Sequence, residues 1–522
     1  MGMVALRQRI ASAYVIVFGM HGEITRHAQE RGVSRQRLYR EHACVITALA
    51  GTAYQREQEE QQRRIKELEE RNAALEQRLS QAVVLDKEKQ KEFASVAQAT
   101  GVGLPTCRIL LEVLLGDRVP AVSTLGRWTK AAGKKAGELL AVLDEFTYDK
   151  VQQVVADEIY TKKPVLMMVE PESLCWVSGR LVPTVTGAEW CEEFRKLPNL
   201  EQVTRDAGMC LGKGVADLNQ QRQEQGLPPA ADQLDHFHTL HEGGRGVGRA
   251  ERQAKAALNA VDKAEAELLW RQRHVKSTQG FQTRIRACWK KANETMDAWQ
   301  ERDQAWQRVK QALQLVTPEG ELNTRARAQA ELAACLPHLP DADFAKVKRF
   351  LQQPQTLTYL DEVHRKLEAL PVPAEIRAAA VRQETLRRRP ELLQGDNPQA
   401  AACRGLLLIL SVILAKAGKV GQQAVEGVRK IFRNTWRASS LVECLNSAVR
   451  MHQARHRKIT QNLLDLKRLY WNTHTFRTGR RRSTSPYQRV GLPWPEGLRW
   501  WDLLKWTPEQ LRQQLSALER RE

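Results

Sequence analysis

The chain has 522 residues, 42% of them hydrophobic and 27% charged, and its 81 Lys and Arg against 61 Asp and Glu leave a net charge of +20. That length exceeds what one ordinary core organises and calls for three or four folding units. A basic surplus of this size selects a polyanionic partner, nucleic acid or an anionic membrane surface. No apolar run reaches the roughly 18 residues of a spanning helix, so no membrane segment is expected. The longest run, 406–415, contains Ser411 and reads as a buried helix. Residues 13–20, behind Arg7 and Arg9, imitate a short signal sequence, but no small-residue cleavage site follows. Nine cysteines are scattered without a CxxC pair, which argues against a zinc finger and fits reduced thiols in a cytoplasm.

In chain order, residues 1–54 carry a helix-turn-helix pattern. The segment 22–31 reads as a helix with Ile24 and Ala28 on one face; Gly32 supplies a tight turn, and Ser34 caps a second helix. Arg35, Arg37 and Arg40 on that second helix are candidate DNA contacts, the plain alternative being a helical hairpin with a solvated basic face. Residues 55–90 read as a coiled-coil-like helix. Ile65, Asn72 and Leu79 fall at one core position, with Leu68, Leu75 and Ala82 at the other. A single core Asn fixes register at some cost in stability, so a homodimer or higher homo-oligomer is expected, the plain alternative being a helix packed within the monomer, since three heptads are marginal for a dimer alone. Residues 91–148 read as a second helical DNA-binding unit: a helix at 94–100, a turn at Gly101, a helix opened by Pro105, and a capped entry at 120–128. Arg127 is the candidate DNA contact there, and Trp128 reads as core.

From about residue 149 the periodicity changes. Segments 151–160, 165–169 and 174–177 read as strands, followed by a helix at 187–196, a strand at 201–205, a helix at 213–223 and a strand at 233–238. Three strands, helix, strand, helix, strand is the element order of an RNase H-like core, whose first part is expected over 149–244. In that order the first and fourth strands are neighbours, so Asp157 and Asp206 would point at one spot. Hard cations such as Mg²⁺ are held by oxygen ligands, and a pair of them about 4 Å apart drives in-line phosphoryl displacement. A third acid is expected on a closing helix at 439–450, where Glu443, Asn446, Ser447 and Arg450 share a face and Leu441, Leu445 and Val449 form an apolar one.

The segments Ala156-Asp157-Glu158-Ile159, Pro164-Val165-Leu166, Val169-Glu170-Pro171-Glu172-Ser173, Thr204-Arg205-Asp206-Ala207-Gly208 and Glu443-x-x-Asn446-Ser447 resemble bacterial insertion-sequence transposases of the DDE superfamily. Asn462-Leu463-Leu464-Asp465-Leu466, Trp471-Asn472 and Ser485-Pro486 look like the tail of the same pattern. The resemblance spans about residues 95–490. It implies that Asp157, Asp206 and Glu443 are the catalytic and metal-binding triad for two Mg²⁺ or Mn²⁺ ions, with Glu158 facing away or supporting from behind. It also implies double-stranded DNA, as element ends and target, for partner, and a cytoplasmic, nucleoid-associated location.

Asp206 and Glu443 lie far apart in sequence, and the intervening 245–430 is helical in composition, with Trp270, Trp289, Trp299 and Trp306. This resembles the all-helical insertion that several DDE transposases place before the final acid; the alternative is a structural domain with core tryptophans. The overall fold is therefore expected to be mixed and mostly α-helical, with an α/β core interrupted by a large helical insertion. In Asp235-His236-Phe237-His238 two histidines on one strand face would offer metal ligands, or would simply end the fifth strand beside the active site. Residues 243–248, rich in glycine, lack a P-loop's Gly-Lys-Ser/Thr and read as a flexible connection. Residues 429–482 hold 14 Lys or Arg against two acids. From this basic segment, the final helix of the core over 431–490, the candidate DNA contacts are Arg437, Asn446, Arg450, Arg455, Arg457, Lys458, Arg480, Arg481 and Arg482. The segment 491–522, with Trp494, Trp500, Trp501 and Trp506, reads as a small apolar closure. The reading that follows is a DNA transposase, against a DNA-binding protein derived from one or an RNase H-like nuclease without strand transfer.

Overall fold

A computed structural model of the protein describes residues 2–81, 85–455 and 459–520. The chain divides into two compact units, Met1–Lys89 and Gln90–Glu522. In the first, α1 (Met3–Phe18), α2 (Glu23–Glu30) and α3 (Arg35–Gln81) follow one another through tight turns. Gly32 takes φ +63° between α2 and α3, and the Ser34 hydroxyl accepts from Arg37 N at 3.3 Å, capping α3. The signal-like stretch belongs to α1 and the turn after it; Ser12 and Ala13 are buried there. An Arg31–Glu41 ion pair at 2.6 Å and a Ser12–Glu41 hydrogen bond at 2.8 Å tie α1 and the turn to α3. With 47 residues, α3 is about 70 Å long. Its described side chains from 46 to 77 are all exposed, including Ile65, Leu68 and Leu75. The heptad positions Leu79 and Ala82 lie outside the described side chains.

The second unit is mostly helical around one mixed five-stranded sheet. It opens with α4 (Lys87–Ala99), α5 (Leu104–Leu115) and α6 (Val122–Glu145). The outer face of α5 is apolar, exposing Ile109, Leu110, Val113 and Leu114. Strands β1 (Gln153–Tyr160), β2 (Pro164–Glu170) and β3 (Cys175–Leu181) form an antiparallel meander. Then come α7 (Gly187–Arg195), β4 (Gln202–Arg205), α8 (Met209–Glu224) and β5 (Ala231–Leu234). The sheet order is β3-β2-β1-β4-β5, with β4 parallel to β1 and β5 parallel to β4.

Strand alternation sorts β1 between two layers. Val154 and Ala156 pack with Trp190 and Phe194 of α7 and with Leu211 and Val215 of α8. Val155 and Ile159 face the other way, onto Val442, Leu445 and Val449 of α17 (Ser440–Arg455) and Leu464 of α18 (Gln461–Thr473). Between β5 and α17 runs a helical body: α9 (His236–Arg273), α10 (Phe281–Ala312), α11 (Arg325–Cys335), α12 (Asp341–Leu351), α13 (Thr358–Glu368), α14 (Ala374–Arg387), α15 (Pro398–Lys416) and α16 (Gly418–Arg433). Its core is continuous with the sheet through Leu234 of β5.

Several expectations change here. The glycine-rich 243–248 is not a loop but lies inside α9. A Cβ on Gly243 would stand 2.1 Å from the Trp306 ring, and one on Gly246 would stand 2.6 Å from that of Phe344. Glycine serves close helix packing at these two positions. Of the four tryptophans of the insertion only Trp306 is buried; Trp270 and Trp289 are exposed and Trp299 lies between. The apolar run 406–415 sits in α15, where only Leu410 and Leu414 of it are buried, while Leu408, Ile409, Val412 and Ile413 are exposed. Among the described residues α15 is also the one helix long and apolar enough to cross a membrane by length and composition, where none was expected. The chain ends in α19 (Pro486–Val490), α20 (Trp500–Leu503) and α21 (Pro508–Glu519). Leu503, Leu511 and Leu515 pack on α6 with Trp494 and Trp506, and Trp501 packs on Ala132 and Leu466.

Candidate active site

The parallel pairing of β1 with β4 ends at Ala156 and Arg205, and the next residue after each is an acid, Asp157 inside β1 and Asp206 just past the end of β4. Asp157 is on the face covered by α17, and its neighbour Glu158 is on the opposite face, accepting from Trp190 Nε1 at 2.8 Å. Glu158 therefore faces away, as expected. Asp206 lies just past β4; its Oδ1 accepts from Gly208 N at 2.8 Å, a local turn that holds the carboxylate at the entry to α8. Glu443 is in the first turn of α17, half-buried.

Asp157 is 9% exposed. Its Oδ1 accepts from Glu158 N at 2.8 Å, and its Oδ2 accepts from Asn446 Nδ2 at 2.6 Å. Burial, aided by the negative charges of Asp206 and Glu443, pushes the Asp157 carboxyl up to about 6 against the hydrogen bonds that favour its charged form. Asp206 and Glu443 thus both lie within electrostatic reach of Asp157. Among the described residues no three His, Cys, Asp or Glu side chains stand close enough around one point to hold a metal ion.

Asn446 is corrected from a DNA contact to a buried partner of Asp157, because its place on α17 faces the sheet. Its Oδ1 is buried and has no hydrogen-bond partner among the described residues. The helix that brings Glu443 and Asn446 is anchored by Asp235, the N-cap of α9. Asp235 accepts from Ser439 N at 2.8 Å and from the Ser439 hydroxyl at 2.6 Å, and Ser439 O receives the first amides of α17. His236 N donates to Arg437 O at 2.8 Å. Together these bonds stitch the two chain segments that flank the insertion. Sequence reasoning missed Asp235 as a hub; an Asp immediately before a helical run is the capping signal that would have found it.

The two histidines do not share a strand face. Both are in the first turn of α9, where positions two apart diverge. His236 is buried, bonded to Thr356 O at 2.8 Å, and burial pushes it down to about 4. His238 is half-exposed, with Nδ1 bonded to Asp235 Oδ2 at 2.6 Å; that bond, with the charges of Asp235, Asp157 and Asp206, raises its proton affinity.

The candidate DNA contacts divide. Arg35, Arg37, Arg40, Arg127, Arg480 and Arg482 are exposed. Arg437 is instead engaged within the insertion, donating to Leu313 O and to Gln314 Oε1 at 2.9 Å. Arg481 donates to the carbonyls of Pro171 and Glu172, each at 3.0 Å. Arg437 and Arg481 are therefore structural braces, corrected from the surface role. Arg468, from the same basic run, is buried against Asp144 and the carbonyls of Trp176 and Val177. Arg450 and Arg455 belong to α17, but their side chains lie outside the described ones, and Arg457 and Lys458 lie outside the described residues. No protein-family model and no curated protein matches this chain.

Proposed function

We propose that the protein is a DDE-type DNA transposase: a metal-dependent enzyme on an RNase H-like core that binds element ends, cuts DNA strands and joins them to target DNA. The observation that carries this reading is that Asp206, just past β4, and Glu443, on α17, both act electrostatically on the buried Asp157 of β1, in a sheet ordered β3-β2-β1-β4-β5. That strand order is the one expected of an RNase H-like core.

The donor set suits hard divalent cations, Mg²⁺ or Mn²⁺. Three carboxylates offer only oxygen, and the buried, unpartnered Oδ1 of Asn446 adds a fourth oxygen beside them. The negative charges of Asp206 and Glu443 oppose ionisation of Asp157, and a bound cation would relieve that repulsion. Asp157, Asp206 and Glu443 would hold the ions, and a bound pair supplies activation of the attacking oxygen and stabilisation of the leaving one. The chain's own residues set the geometry. Asn446 fixes one oxygen of Asp157, Gly208 N fixes one of Asp206, and Asp235 fixes the start of the helix that bears Glu443. Exposed Arg433, Arg480 and Arg482 add positive potential that draws a phosphate backbone. Arg35, Arg37 and Arg40 at the start of α3 supply a basic face for reading element ends, and the exposed apolar positions of α3 supply a surface for pairing two copies. Its place is then a cytoplasm, on the nucleoid.

The test is cleavage of labelled duplex carrying the element ends, with Mg²⁺ or Mn²⁺, by the wild type and by Asp157→Ala, Asp206→Ala and Glu443→Ala. The expected result is metal-dependent cutting and joining, lost in all three variants with DNA binding retained. Specific binding without cutting by the wild type would favour a non-enzymatic DNA-binding protein. Cutting without joining would favour an RNase H-like nuclease.

A further inference from the structure

Beside Asp206 a cleft of about 390 Å³ opens between the first turns of α9 and the helix α12 of the insertion. One wall carries Asp206, His238, Asp235, which is engaged by Ser439 and His238, and Glu242, which pairs with Arg245 at 3.3 Å; the other carries Lys346 and Arg349, with Val347 and Phe350 forming an apolar floor. The two basic side chains are distinctive for this region. Lys348 pairs with Asp341 at 2.7 Å, Arg249 with Asp343 at 2.7 Å, and Arg302 with Asp343 at 3.8 Å. Lys346 and Arg349, exposed on the same helix and turned to the cleft, have no hydrogen-bond or ion-pair partner among the described residues. Opposite them, Asp235 holds the His238 ring through Nδ1, which leaves Nε2 as the free nitrogen of a half-exposed imidazole.

We propose that this cleft is a phosphate site for the DNA strand under attack. Lys346 and Arg349 grip a backbone phosphate adjoining the one at the carboxylates, and His238 contacts it from the opposite wall. Three nitrogen donors around a mouth this size match the oxygens of one phosphodiester. The apolar floor takes the sugar or base edge beside it. An unpaired cation pair next to a carboxylate cluster separates the substrate's charge from the metal ligands, so that one strand is placed by its backbone rather than by its sequence. Asp235 orients His238 and anchors Ser439 at the head of α17, which links the phosphate site to the position of Glu443. The imidazole is a positioning group in this scheme.

This inference rests on the reading that the carboxylates act on DNA, and its test separates the two. Lys346 is followed by its reactivity toward an amine-acylating reagent, read by mass spectrometry, in the full chain with and without a duplex oligonucleotide. The measurement is made on the wild type and on Asp157→Ala. The expected result is protection of Lys346 by DNA in both. In parallel, Lys346→Ala/Arg349→Ala should weaken duplex binding and lower the slope of log K against log salt by about 0.9, one phosphate contact. Lys346→Arg should restore the slope, and His238→Ala should raise KM for DNA more than it lowers kcat. Lys346 staying fully reactive in a DNA-saturated sample, or an unchanged slope in the double variant, would overturn the phosphate site even if cutting proceeds. Protection without any cutting by the wild type would uphold the site and reject the enzyme.

Discussion

Asp157 is the residue on which the site turns. Burial and two neighbouring negative charges oppose ionisation and push its carboxyl up to about 6, above the ordinary carboxylate range. The sign follows from linkage: a carboxyl whose proton affinity rises on folding destabilises the fold as it ionises. Stability should therefore fall as pH rises from about 4 through 6. Each unit of difference is ~1.4 kcal/mol, so Asp157→Asn should gain on the order of 2–3 kcal/mol over wild type at pH 8 without divalent cation, and nothing near pH 4. Urea midpoints at the two pH values check this; equal midpoints at pH 8 would mean that the carboxylates do not strain one another. Asn446→Ala should act in the opposite direction at pH 8, because it strips a hydrogen bond that favours the charged carboxylate. Asp157 and Asp206 were legible from their place in an apolar strand and at a strand end. The role of Asn446 was not, since helical spacing puts it on one face with Glu443 without saying whether that face meets solvent or the sheet.

Among the elements, α9 departs most from its sequence pattern. A run with four glycines in 243–248 reads as a breaker, because each glycine in a helix costs up to ~1 kcal/mol against alanine. Close packing overrides that cost, and the overriding partners, Trp306 and Phe344, are remote in sequence and so invisible to local reading. The expectation is graded by space. Gly243→Ala and Gly246→Ala should destabilise by roughly 1–3 kcal/mol through overpacking, while Gly244→Ala, which meets nothing within 4 Å, should be neutral or stabilising. Urea unfolding of the three variants decides it; equal effects would refute the packing account. The helix α3 poses the opposite case, since its heptads were readable and their described apolar positions Ile65, Leu68 and Leu75 are exposed. Ile65→Ser/Leu68→Ser/Leu75→Ser should lower the sedimentation mass of the full chain to that of a monomer while leaving its Tm within a few degrees. An unchanged mass would show that α3 does not pair copies.

At the scale of the whole molecule, the chain returns to its sheet after the long helical body. The bonds from Asp235 to Ser439 and from His236 to Arg437 close that return. The short segments rich in Val, Ile and Leu, separated by turns, made the α/β segment readable, and the strong apolar face of 441–449 made α17 a candidate lid for it. The site's far wall was not readable, because Lys346 and Arg349 are ordinary exposed residues until the fold sets them across from Asp206. Basic residues divided in the same way: Arg437, Arg468 and Arg481 look like surface charge in sequence and serve as internal braces. The central claim is that Asp157, Asp206 and Glu443 together bind divalent cations, and calorimetric titration of Mn²⁺ into the full chain tests it most directly. The account predicts binding by the wild type that is lost or weakened at least about tenfold in Asp157→Asn, Asp206→Asn and Glu443→Gln alike, each loss costing about 1.4 kcal/mol or more. Mn²⁺ binding that is absent from the wild type, or indifferent to all three substitutions, would contradict it.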